Sequence, residues 1–365
     1  MFMSKFPQFL SCRRKAALLL LLILLLTLSL SCSKADDLIG ASPEEKQDDK
    51  DSADPKNREE AVDYEALGVN EVGEIMILMY HEIGEPESTW CRTPDNFRKD
   101  LETLYAEGYR LISMNDLLDG HIDVPAGYSP VVLTFDDGTA GQFRYLEKKG
   151  GPVLDPHCAV AILEEFYAAH PDFGLAATFY IFYETPFGQA EYIQKKLSYL
   201  DEKGFEIGNH GYNHGNLRRL SPKEARRELA LQVKRTRDYL PGYNVRSLAL
   251  PYGERPEEMS YILEDNFEGT AYRNDGVLLV GANPAPSPFS LDYDPGALPR
   301  VRASEIDTDG MGLYDWLERL RDNPERRYIS DGDPATVAVP EERAEEIDRY
   351  RLGDKTLIPY QTKSE

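Results

Sequence analysis

Two aspartates, Asp136 and Asp137, stand side by side in "VVLTFDDG", residues 131–138, behind a run that reads as a buried strand. Aspartate is poor in strands and costly to bury unpaired, so this strand delivers two carboxylates to something. Further along, "NHGYNH" (209–214) sets His210 and His214 four residues apart, in a chain with six histidines. On a helix that spacing puts both imidazoles on one face. The glycine and two asparagines here argue instead for a turn, which also brings them together. Two histidines and a carboxylate make a divalent-metal site with positions left open for water and substrate. Neighbouring aspartates diverge, so one can ligate while the other stays free as a general base. Water on such a metal has its pKa lowered toward ~7. The chemistry is metal-assisted hydrolysis. Taken alone, "FDDG" is equally a plain Asx turn before a glycine; joined to the paired histidines, the catalytic reading is the stronger.

These residues need a frame. Strand-like runs at 75–80, 109–113, 131–135, 177–182, 205–210 and 247–252 alternate with helical patterns that start at Thr93-Pro94 and then span 159–170, 190–204, 221–240 and 256–267. Thr93 and Ser221 read as N-caps with a proline behind each, and Glu224 completes a capping box. Such alternation predicts an α/β fold, a (β/α) barrel that is complete or distorted and one repeat short, with seven to eight strands. Chemistry in such barrels lies at the C-terminal ends of the strands. Tyr80-His81-Glu82, Asp136-Asp137-Gly138, His210 with His214, and Pro251-Tyr252-Gly253 all fall at such ends. Residues 278–298 read as a loop, and the charged stretch 324–365 as a peripheral extension, helical or disordered. No internal repeat is visible.

The ends of the chain carry other signals. Lys5, Arg13, Arg14 and Lys15 precede the apolar run Ala16–Leu30, which ends in "SLSC" at Cys32. A signal segment over residues 1–31 and lipidation at Cys32 are expected, placing the protein outside the cytoplasm on a membrane anchor. An ordinary cleaved signal and an uncleaved anchor are the competing readings. Residues 32–72 read as a flexible acidic tether, and 73–323 as the folded domain. Net charge is −23, and −27 without the first 31 residues. An acidic chain repels nucleic acid, so nucleic acid is set aside and neutral or amine-bearing substrates are expected. Cys91 and Cys158 are far apart and do not form a zinc ribbon; they are a disulfide or two free thiols.

"TFDDG", "HGYNH" and "LPYG" resemble, in order and type, the motifs of polysaccharide deacetylases (carbohydrate esterase family 4, the NodB-homology domain), over about residues 75–305. The resemblance implies Asp136 as general base and Asp137, His210 and His214 as metal ligands. The metal would be Zn2+, with Co2+ or Ni2+ as alternatives. Tyr252 stands where the family uses a backbone N–H to hold an oxyanion, and Pro251, Tyr252 and Trp90 would line the sugar site. The reaction would be removal of acetyl groups, N-acetyl first, from an extracellular or cell-envelope polysaccharide.

Two departures stand out. The arginine expected three residues before Tyr252, which pairs with the base, is Ala249. No histidine follows His214 to act as general acid. "LMYHEIG" (78–84) resembles the opening of circularly permuted members, including those acting on poly-N-acetylglucosamine. On that basis His81 is the acid, oriented by Glu82; the competing reading is a structural histidine. Arg300 is the candidate partner for Asp136, with Arg246, Arg273 and Arg302 as rivals. Phe143 and Tyr145, in the insertion 139–157, and Trp90, from another loop, either stack on sugars or pack their loops. A catalytically degenerate glycan-binding lipoprotein of the same fold is the alternative function; an amidohydrolase acting on small non-sugar amides is a third.

Overall fold

The computed structural model of the protein describes residues 62–363, Glu184 excepted. The signal segment at 1–31, Cys32 and the tether as far as residue 61 lie outside the described residues.

The frame is a curled parallel sheet of seven strands: β1 (Met76–Tyr80), β2 (Ser129–Asp137), β3 (Thr178–Ile181), β4 (Glu206–Asn209), β5 (Ser247–Ala249), β6 (Gly276–Leu278) and β7 (Val301–Arg302). They neighbour one another in chain order, and β7 returns beside β1. The two edges meet through the last loop, where Leu298 bridges Leu278 of β6 and Val301 lies against Leu78 of β1. A further short strand, Tyr109–Leu111, pairs with the start of β2. Parallel strands covered on both faces carry continuous apolar runs, and β2 is buried over its first eight residues.

Helices α1 (Pro94–Ala106), α2 (Ala159–Ala169), α3 (Ile193–Glu202), α4 (Pro222–Tyr239) and α5 (Leu313–Asp322) accompany the sheet. Thr93 caps α1, and Ser221 with Glu224 forms the capping box of α4. Phe97, Leu101 and Leu104 of α1 and Leu197 and Leu200 of α3 are buried in one core cluster with Leu133, Phe135 and Phe179. At ~25 cal/mol per Å² of apolar surface, each such side chain stabilises the fold by about 1.5–3 kcal/mol.

The structure differs from the sequence expectation in three places. Residues 256–267 are not one helix: Ser260–Leu263 is a single turn, and Glu264–Phe267 pairs with Thr270–Arg273 as a hairpin. Glu268 and Gly269 both take positive φ at its tip, the two-residue turn that matches strand twist. The fold begins before residue 73, since Val69, Asn70, Glu71 and Val72 are buried. The described part of the charged stretch, residues 324–363, is not a peripheral extension, and its helix is limited to the short 3-10 turns Pro324–Arg326 and Glu341–Glu346. Thr336–Pro340 and Thr356–Tyr360 pair in parallel, Val337 to Val339 enter the core, and Asn70 bridges Ile329. Acidic and basic residues crowd the connection between those two strands and mask their short apolar runs.

Candidate active site

β2 ends in a sharp reversal. Asp137 and Gly138 both adopt left-handed backbone, φ 74° and 62°. A side chain at Gly138 would meet Ile181 at 3.0 Å as well as the strain of that φ. Asp136, the last residue before the reversal, stays buried, while Asp137 turns out into a cavity of about 490 Å³. The cavity is lined by His81 after β1, Asp136 and Asp137 of β2, His210 and His214 after β4, Tyr252 after β5, and Trp90. Four strand ends thus converge on one opening. His214 and Tyr252 also carry positive φ, 56° and 63°. Non-glycine residues held there cost of order 1–3 kcal/mol each and cluster at functional sites.

His210 and His214 lie in a turn, not a helix. Asn209 accepts the Gly211 N–H at 2.8 Å, starting an Asx turn. The Glu228 carboxylate of α4 takes the N–H groups of Tyr212 (3.0 Å) and Asn213 (2.6 Å) and the Asn213 side chain (2.6 Å). Both histidine Nε2 atoms then face Asp137 Oδ1, at 3.4 Å from His210 and 3.3 Å from His214. One ligand atom from each of the three lies within 4.8 Å of the others, a spacing that fits a single ion. His210 Nδ1 lies 2.8 Å from the Ala249 carbonyl, which fixes the proton on Nδ1 and leaves the Nε2 lone pair for a metal. The residue standing in place of the expected arginine therefore holds the His210 ring through its backbone.

Arg300 stands immediately before the closing strand β7. Its guanidinium grips Asp136 with two bonds of 2.7 Å, and neither side chain is more than 1% exposed. Its remaining donors go to Leu279 O and Thr134 Oγ1. Burial alone would lift the Asp136 pKa; Arg300, with His210 and His81 nearby, outweighs it and holds the carboxyl well below the usual range. The rivals are engaged elsewhere: Arg246 with Asp119 and Asp275, Arg273 with Asp275, Arg302 over the Trp90 ring. Burial pushes the His81 pKa down against the pull of Asp136 and Asp137, and burial with His210 does the same to His214.

Glu82 does not bond the His81 ring; its carboxylate accepts the Gly141 N–H at 3.2 Å. The His81 ring instead packs against Trp90, centroids 4.7 Å apart. Pro251 is buried beneath Tyr252, whose exposed ring lies 4.7 Å from that of His214. Phe143 and Tyr145 pack inside the core and the insertion folds as a hairpin, Tyr145–Lys148 with Gly151–Leu154. Cys91 and Cys158 are free thiols. Sequence reasoning missed Glu228, although its place among the buried positions Ala225, Leu229 and Gln232 of α4 marks a charge that must find partners.

Residues 123–266 match a profile of the polysaccharide deacetylase family. The chain is 28% identical over 146 residues to a peptidoglycan-N-acetylglucosamine deacetylase of Bacillus cereus, a match covering 39% of this chain and 44% of that protein's length. Among solved structures, it is similar to the Streptococcus pyogenes deacetylase PplD in complex with acetate (20% identity, 63% of this chain and 92% of that one, TM-score 0.47). It is also similar to IcaB from Ammonifex degensii (18% identity, 64% and 93%, TM-score 0.41). The matched segment contains Asp136, Asp137, His210, His214 and Tyr252; His81 and Arg300 lie outside it. Over residues 123–266 the chain is thus similar to the polysaccharide deacetylase family.

Proposed function

We propose that the protein hydrolyses acetyl groups, N-acetyl in the first place, from a polysaccharide of the cell envelope or surroundings, held near the membrane by a lipid on Cys32. The observation that carries this reading is the bidentate Arg300–Asp136 pair opening onto the Asp137, His210 and His214 cluster. Asp137, His210 and His214 would hold a divalent ion, Zn2+ first and Co2+ or Ni2+ as alternatives; when bound, it acidifies water and polarises a carbonyl. Asp136, kept ionised by Arg300, takes the proton of the attacking water. His81 gives a proton to the departing nitrogen as the C–N bond breaks, leaving acetate and a free amine. Burial lowers the His81 pKa, so its imidazolium is the stronger acid and gives up its proton readily. Tyr252 supplies its backbone N–H to the oxyanion, and Trp90 offers a 44%-exposed indole to a sugar face.

The test is acetate release from matched N-acetylated and O-acetylated oligosaccharides. Faster release from the N-acetylated set is expected. Release from the O-acetylated set alone would make the protein an esterase.

A further inference from the structure

Parallel strands end with carbonyls that no neighbouring N–H reaches. Where β1 and β2 end stand the residues given the acid and base roles above: His81 just past β1, and Asp136 the second-last residue of β2. Gln142, wholly buried, answers both: its Nε2 donates to His81 O at 2.7 Å and to Asp136 O. Its Oε1 has no partner, so this side chain is placed for its two donors. The segment carrying it is wedged in. Glu82 accepts the Gly141 N–H, and a Cβ on Gly141 would stand 1.8 Å from Ile83 O. The Gly141 and Gln142 carbonyls accept the first free N–H groups of α2, from Ala159 and Val160, at 3.0 and 3.1 Å.

The two carbonyls differ in what else secures their residues. Asp136 is clamped by Arg300. The His81 ring makes no hydrogen bond among the described residues and rests on Trp90. Losing the amide therefore frees His81 far more than Asp136. We infer that Gln142 is a positioning residue that sets the distance of the His81 proton donor from the reacting bond. Gln232 of α4 does the same kind of bridging between Ile181 O and Gly208 O, at 3.2 and 3.1 Å, again with an unpartnered Oε1. That pair of strands carries no proton donor, which makes Gln232 a matched control.

This inference rests on the proposed deacetylase function, and its test separates the two. The full chain and its Gln142→Met and Gln232→Met variants are assayed on an N-acetylated oligosaccharide, whose amine must be protonated to leave, and on 4-nitrophenyl acetate, whose phenolate leaves without a proton. Gln142→Met is expected to lose about 30-fold in kcat on the amide and less than about threefold on the aryl ester, since a misplacement near 1 Å costs up to ~10²-fold. Gln232→Met is expected to change both rates by one common factor. Where Gln142→Met does not fold, Gln142→Glu keeps the shape with one donor at most, and the ratio of the two rates is again read. Equal losses on both substrates, or no loss on the amide, would overturn the inference while leaving the deacetylase reading intact. No acetate from the unmutated protein on either substrate would overturn both.

Discussion

Asp100 and Asp136 are both buried and each is gripped on both carboxylate oxygens by an arginine, yet it is Asp136 that lines the site cavity. Asp100 of α1 is held by Arg92 at 2.9 and 2.6 Å, much as Asp136 is held by Arg300. Around Asp100 the remaining room is filled: Tyr314 OH and Tyr80 OH donate to its oxygens at 2.9 and 3.2 Å, and Glu87 and Glu305 take further Arg92 donors. Around Asp136 the neighbours are His81, Asp137 and His210, arranged on a cavity wall. Burial and an arginine do not by themselves make a catalytic carboxylate. What distinguishes Asp136 is that its surroundings leave it facing His81 and the Asp137, His210 and His214 cluster that could hold a metal ion, where Asp100 faces a closed shell of phenols.

The comparison breaks most directly at the two aspartates. Asp136→Asn is expected to lower acetate release about 10³-fold, the contribution of a positioned general base. Asp100→Asn is expected to leave kcat of the folded protein within about threefold while lowering stability by about 3–5 kcal/mol, because Arg92 loses its main counter-charge. Steady-state rates set beside urea unfolding decide it; equal catalytic losses would erase the distinction. A smaller effect is expected from Arg300→Met, with kcat falling about 10²-fold. Without the guanidinium, burial raises the Asp136 pKa, so the acidic limb of the rate profile moves to higher pH. An unmoved limb would mean that Arg300 does not tune the base.

A third buried carboxylate sharpens the contrast, because it has no arginine. Glu71 accepts from Tyr328 OH at 2.9 Å and Ala338 N–H at 2.7 Å, and burial followed by the nearby Asp331 raises its pKa to about 8. A carboxyl with a raised folded-state pKa binds its proton more tightly in the folded chain. Its stabilisation is full below about 4.5 and is lost as pH rises toward about 8. Denaturant midpoints should therefore fall across that window, by up to roughly 5 kcal/mol in stability. Glu71→Gln should flatten the fall; an equal fall in the variant would place its origin in another group. The smallest effect belongs to the cavity rim. Trp90→Ala is expected to raise KM about fivefold, the loss of about 1 kcal/mol of stacking, with a larger fall in kcat than in kcat/KM counting against a binding role.

Much of the site was legible before any coordinates. Asp136, Asp137, His210 and His214 announce themselves because polar residues at strand ends have few structural uses and metal ligands need close spacing. The barrel was legible because long periodic segments such as α4 and β2 leave little choice of element. What escaped was what the sequence does not localise. Strands β6 and β7 have three and two residues, too few to carry a period. Arg300 was one of four arginines, and only the return of the last loop beside β1 singles it out. Glu228 and Gln142 act on backbone groups, which every residue carries, so no motif marks their targets. Trp90 was read as either a sugar platform or a packing residue, and its contact with His81 is set by a fold in the chain between them.

The central claim is that Asp136, held by Arg300, works as the base beside an ion on Asp137, His210 and His214. The most direct measurement is acetate release by the full chain from N-acetylglucosamine oligomers, after chelation and after adding back Zn2+ or Co2+, for the wild type and Asp136→Asn. The account predicts release that chelation removes and metal restores in the wild type, and an Asp136→Asn protein that still binds one metal ion per chain but stays inactive. Release that survives chelation, or an Asp136→Asn variant as active as the wild type, would contradict it.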